Sequence, residues 1–123
     1  MAGHIELGIA GEDLARRELE HSGYRILEKN VRFGSGEIDM VAVVDGELVI
    51  VEVRTRSIGK LAPPETSVGP RKLKRLVRLG RCYVERARWE GPWRVDVVAV
   101  KIGPGKEAEV EIFRDVTTGL VWL

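Results

Sequence analysis

The stretch Gly36-Glu-Ile-Asp-Met-Val-Ala-Val-Val-Asp-Gly-Glu-Leu-Val-Ile-Val-Glu-Val-Arg54 decides how this chain folds. Two valine-rich runs flank Asp45-Gly46, a dipeptide that favours the two-residue turn of a β-hairpin. With Asp45 and Gly46 in the turn, Val44 pairs with Glu47 and paired positions sum to 91, which sets Asp39 directly opposite Glu52. The Cα atoms of such a pair lie roughly 4.5–5.5 Å apart. Side chains alternate along a strand, so the face bearing both acids also carries Val41, Val43, Leu48 and Ile50. Met40, Ala42, Val44, Val49 and Val51 make the other face equally apolar. Strands apolar on both faces belong in a sheet covered on both sides. Like charges placed opposite one another destabilise a sheet. A cation is therefore expected between Asp39 and Glu52, with a divalent metal as the first candidate.

Outward from the hairpin, residues 4–22 read as a helix with Leu14, Ala15 and Leu19 on its apolar side and Ser22-Gly23 as its stop. Tyr24 to Phe33 reads as a strand that ends at Gly34-Ser-Gly36, and the hairpin follows as 37–44 and 47–55. Residues 57–69, with Gly59, Pro63, Pro64 and Gly69, form the longest irregular segment. Pro70 suits the first turn of a second helix. There Leu73, Leu76, Val77, Gly80, Tyr83, Val84 and Ala87 make one apolar stripe before Gly91-Pro92 ends it. Arg94–Lys101 and Glu109–Phe113 read as two more strands, and residues 115–123 as an irregular tail docking through Leu120 and Trp122. The order α-β-β-β-α-β-β over residues 1–123 predicts one small α/β domain with a mixed sheet flanked by helices.

At 123 residues the chain can bury a core without staples. Its single Cys82 excludes an internal disulfide framework and is expected to pack on the apolar side of the second helix. No run of about 18 apolar residues exists, so no membrane partner is expected, and without a signal-peptide pattern the expected location is cytoplasmic. The net charge of +1 hides an asymmetry. Residues 1–24 hold Glu6, Glu12, Asp13, Glu18 and Glu20 against Arg16 and Arg17. Residues 66–90 hold eight Lys and Arg against Glu85 and Glu90. A near-zero total does not exclude a polyanionic partner, because local fields decide.

Parity places Glu37, Asp39, Glu52, Arg54 and Arg56 on one side of the hairpin, with Glu37 facing Arg54. Magnesium takes one or two carboxylates plus water and substrate phosphate, and the carbonyl of Val53 could complete such a site. The other reading is a cross-strand ion cluster in which Arg54 and Arg56 compensate the acids. The spacing of Glu12 from Ala15 and Leu19 turns its carboxylate partly toward a cleft beside the sheet; a snorkelling helix glutamate is the alternative. Arg71, Lys74, Arg75, Arg78, Arg81 and Arg88 lie away from the apolar stripe with few acids to balance them. With Lys72, they fit non-specific, salt-sensitive contact with nucleic-acid phosphates. Asp96 reads as a strand-end ion partner of Arg94, with a site role left open.

Several segments then follow a known pattern in order: Gly11-Glu12 with Leu14-Ala15, Gly23-Tyr24 to Ile26-Leu27, Asn30 with Arg32, Gly36-Glu37-Ile38-Asp39, Val51-Glu52-Val53-Arg54, Lys72 to Leu76, Tyr83, and Arg94 to Val98. Across nearly its whole length the chain resembles the YraN-like family of small bacterial proteins, itself similar to the PD-(D/E)xK nuclease superfamily near the archaeal Holliday junction resolvases. The resemblance implies a restriction-endonuclease-like fold and an endonuclease that hydrolyses phosphodiesters in DNA, branched or damaged, with Mg²⁺ or Mn²⁺. It implies Asp39 and Glu52 as metal ligands, Glu12 as an accessory ligand or water-positioning acid, and Glu37 as a neighbouring site residue. At the position where the superfamily has a water-orienting lysine, this chain has Arg54, which stays charged and cannot act as a general base. Lys60 and Lys72 are the lysines open for that role. The rival reading is a nuclease-fold module that binds nucleic acid or protein without cutting. A third is a subunit completed by a partner or by homodimerisation.

Overall fold

The computed structural model describes residues 3–34, 36–57, 69–105 and 107–117. Its elements are α1 (Gly3–His21), β1 (Arg25–Phe33), β2 (Gly36–Val44), β3 (Glu47–Ser57), α2 (Pro70–Ala87), β4 (Trp93–Ile102) and β5 (Ala108–Phe113). The expected order is the observed one. Lys60, Pro63, Pro64, Leu120 and Trp122 lie outside the described residues. Among the described residues, no helix is long and apolar enough to cross a membrane.

One mixed sheet runs β1-β2-β3-β4-β5, antiparallel except between β3 and β4. Asp45 and Gly46 both take the positive φ (51° and 77°) that a tight hairpin turn demands, and Val44 faces Glu47 as the sequence predicts. The two apolar faces of the hairpin acquire different covers. Ala15 and Leu19 of α1 pack with Met40, Ala42, Val49 and Val51. Leu73, Leu76, Val77 and Tyr83 of α2 pack with Val41, Leu48 and Ile50 on the opposite side. This three-layer arrangement explains why β2 and β3 are apolar throughout.

Pro70 opens α2 behind an extended Gly69 cap (φ −82°, ψ 178°). The helix ends earlier than Gly91-Pro92 predicts. Arg88 adopts the left-handed conformation (φ 54°), and the amides of Arg88 and Trp89 return to Glu85 O and Val84 O, a local stop that usually uses glycine. Gly80 lets α2 lie against the sheet, because a Cβ there would come 2.5 Å from the Trp93 ring and 3.1 Å from Ile50. Two members of the expected face differ. Cys82 is exposed, not packed, since it lies about half a turn from Leu73 on the helical wheel. Ala87, in the final turn, is exposed as well.

Asp96 is fully buried in β4. It accepts the Tyr24 hydroxyl (2.7 Å), the Arg94 guanidinium (2.9 Å) and the Asp115 amide (2.8 Å), while Arg94 also reaches Glu47 at 2.6 Å. The expected Arg94 partnership is present, but it belongs to a closed network within the strand's buried run. Asp96 pairs in the ladder with Val51 and takes structural duty there.

Candidate active site

The hairpin ladder follows the predicted register from Val44/Glu47 to Met40/Val51 and then stops. Asp39 is therefore not in a ladder pair with Glu52. Instead its Oδ2 accepts the Val53 amide at 2.7 Å, so a side chain takes the hydrogen bond that the next strand residue would have supplied. A backbone irregularity lies on the neighbouring strand. Asn30 adopts φ 53°, and Asn30 and Asp39 are absent from a ladder that pairs Lys29 with Met40 and Val31 with Ile38. Ile38 and Met40, two residues apart, belong to opposite cores. Strict alternation breaks at Asp39, where β2 parts from β3.

That break also moves Glu37. The sequence places it opposite Arg54 beside the acid pair, but with Ile38 turned toward α2 its neighbour Glu37 points the other way. It faces Arg32 of β1, at 3.5 Å. The β2–β3 ladder ends before reaching it, so Glu37 has no ladder pairing with Arg54.

The remaining acids converge from three elements. Glu52, 6% exposed on the α2 face of β3, receives the Lys72 ammonium at 2.9 Å and the Arg54 guanidinium at 3.4 Å. Glu12 approaches from α1, with its Oε1 3.4 Å from Asn30 Nδ2. Gly11 permits that approach, because a Cβ at this position would collide with Thr55 of β3. The sequence showed Gly11 only as part of a motif; the contact that requires it joins residues 44 positions apart. An open hollow of about 250 Å³ is lined by Gly8, Glu12, Asp39, Val53, Arg54, Thr55 and Arg56.

Burial, then the Glu52 charge and to a lesser degree Glu12, push the Asp39 carboxyl up to about 7, against the opposing effect of the Val53 amide. This is what burial beside a second carboxylate does to an acid. The Val53 carbonyl adds a further oxygen. In an antiparallel ladder a residue's N–H and C=O point to the same neighbour, so the Val53 carbonyl is directed to the gap that β2 leaves. The donor set suits a hard divalent cation: two carboxylates, a main-chain carbonyl and room for water or phosphate. Among the described residues no group of three Asp, Glu, His or Cys side chains is already gathered for a metal. On this geometry Glu12 is an outlying acid.

Beside the site begins the basic face of α2. Gly69, Pro70, Arg71, Lys72, Lys74, Arg75 and Arg78 line a surface hollow of about 550 Å³. Arg71, Lys74, Arg75, Arg78 and Arg81 are exposed. Lys72 differs: it is half-buried and turned to Glu52.

The profile of the uncharacterised protein family UPF0102 matches residues 11–100, a span that includes Glu12, Asp39, Glu52, Val53, Arg54 and Lys72. A UPF0102 protein of Cytophaga hutchinsonii is 40% identical over 114 residues, covering 93% of this chain and 97% of that protein. One from Symbiobacterium thermophilum is 48% identical over 99 residues, covering 80% of this chain and 84% of the relative. One from Thermodesulfovibrio yellowstonii is 44% identical over 96 residues, with coverages of 78% and 86%.

Proposed function

The chain belongs to the uncharacterised UPF0102 family, the YraN-like group that its motifs resemble, and we propose that it is a metal-dependent endonuclease acting on DNA. The observation that carries this reading is the strand parting at Asp39. It brings Asp39, Glu52 and Val53 to one gap, where burial and the Glu52 charge raise the Asp39 carboxyl. Asp39, Glu52 and Val53 would hold Mg²⁺ or Mn²⁺, with Glu12 reaching it through water. Such a cation supplies a nucleophilic water at neutral pH and neutralises charge on the phosphate.

The chain's own groups do the rest. Arg71, Lys74, Arg75, Arg78 and Arg81 grip backbone phosphates, contacts that position the duplex but carry no sequence information. Arg54, half-buried beside Glu52, keeps a permanent positive charge where phosphate charge builds up. A restriction-endonuclease-like fold and a preference for branched or damaged DNA belong to the same proposal and rest on the motif resemblance.

Purified protein should nick flap or four-way-junction DNA in Mg²⁺ or Mn²⁺, and Asp39→Asn or Glu52→Gln should lower the rate by about a hundredfold or more. Cleavage unchanged by both substitutions would reject the site. One observation favours a second reading, a module that binds without cutting: Glu52 already has cationic partners in Arg54 and Lys72. Under that reading both substitutions leave DNA affinity intact and no divalent ion supports cleavage. Gain of cleavage in Arg54→Lys would instead reveal an active site weakened at one position.

A further inference from the structure

Glu52 and Asp96 are the buried charged residues among those described. Asp96 has permanent partners in a closed network. Glu52 has a different kind of partner. Lys72 reaches it from another element, 20 positions along the chain, with Nζ at 2.9 Å and a side chain 29% exposed. The same lysine lines the basic hollow on α2. Its ammonium is a compact charge on a four-carbon stem that can turn between two acceptors. A buried carboxylate is costly without cationic partners, and in the free protein Lys72 is the nearer of two, with Arg54 at 3.4 Å. A divalent cation at Asp39 and Glu52 supplies that charge and repels the ammonium.

We propose that Lys72 is the displaceable counter-ion of Glu52, which a divalent cation expels toward the DNA phosphate lying along the basic face of α2. Lys72 thus holds Glu52 in the resting protein and contacts substrate only once the cation is in place. Cation and DNA binding are coupled through one side chain, and each strengthens the other. This rests on the proposed cation site, and the two ideas fail differently.

The test measures Mn²⁺ binding to the DNA-free protein by calorimetry, for wild type, Lys72→Met, Lys72→Arg and Asp39→Asn. Removing the competing ammonium should tighten Mn²⁺ binding in Lys72→Met by about fivefold or more, and Lys72→Arg should return it toward wild type. DNA affinity measured in Ca²⁺ and in chelator completes the pattern: Ca²⁺ should strengthen DNA binding by wild type and do so less in Lys72→Met. Unchanged or weaker Mn²⁺ binding in Lys72→Met, with Asp39→Asn still abolishing it, would overturn the role of Lys72 and leave the cation site standing. Failure of wild type to bind Mn²⁺, or binding indifferent to Asp39→Asn, would overturn both.

Discussion

Asp39 keeps its proton into the neutral range because burial and the Glu52 carboxylate both oppose its charge. The folded carboxyl titrates at about 7, the unfolded one near 4. Between those values the folded state binds more protons, so stability is greatest at the acid end and falls as pH rises through the window. The slope cannot exceed about 1.4 kcal/mol per pH unit for one group. Asp39→Asn retains an acceptor for the Val53 amide without the charge. In urea unfolding it should match wild type near pH 4 and exceed it by about 1–3 kcal/mol near pH 7.5. Parallel pH profiles for the two proteins would refute the assignment. At this scale the sequence revealed that two acids would meet, since hairpin arithmetic needs only the turn. It could not reveal the amide donated by Val53, because that bond forms where the β2–β3 ladder stops, and hairpin arithmetic does not show where a ladder ends.

Among the elements, α1 owes its position over the site to one missing methyl group. Gly11 sits against Thr55, whereas among the described residues nothing lies within 4 Å of the position a Cβ would take at Gly8. Gly11→Ala should lower stability by about 1–3 kcal/mol through overpacking. Gly8→Ala should be neutral or raise it by about 0.5–1 kcal/mol through helix propensity. Thermal unfolding of both, and of Gly11→Ala combined with Thr55→Ala, tests this: the double variant should recover part of the loss. Helices and strands were legible because their apolar spacing and turn residues are local signals. The early stop of α2 was not, since a left-handed Arg88 carries no sequence mark comparable to Gly91-Pro92. Exposure of Cys82 was legible in principle, from its angle to Leu73 on the helix wheel.

Across the molecule, Asp96 draws together segments far apart in the chain: Tyr24 after α1, Arg94 on its own strand, Asp115 beyond β5, and Glu47 through Arg94. Burying this charge is tolerable only with its partners. Asp96→Asn should cost about 3–5 kcal/mol by leaving Arg94 half-buried with one acid fewer, and Tyr24→Phe about 0.5–2 kcal/mol. Chemical denaturation ranks them; near-equal losses would mean that the charge is not the centre of the network. Sequence pairs only Arg94 with Asp96, because long-range convergence has no local period to read. The same limit hides the contacts that Glu37 makes with Arg32 and Lys72 with Glu52. The parting of β2 and β3 has a last consequence, for spectroscopy. Most strand amides bond to carbonyls and are blind to ionisation, but the Val53 amide bonds to a titrating carboxylate. Its ¹H–¹⁵N resonance is thus a built-in indicator of the state of the acid pair, readable in the intact protein without substrate or label on the site.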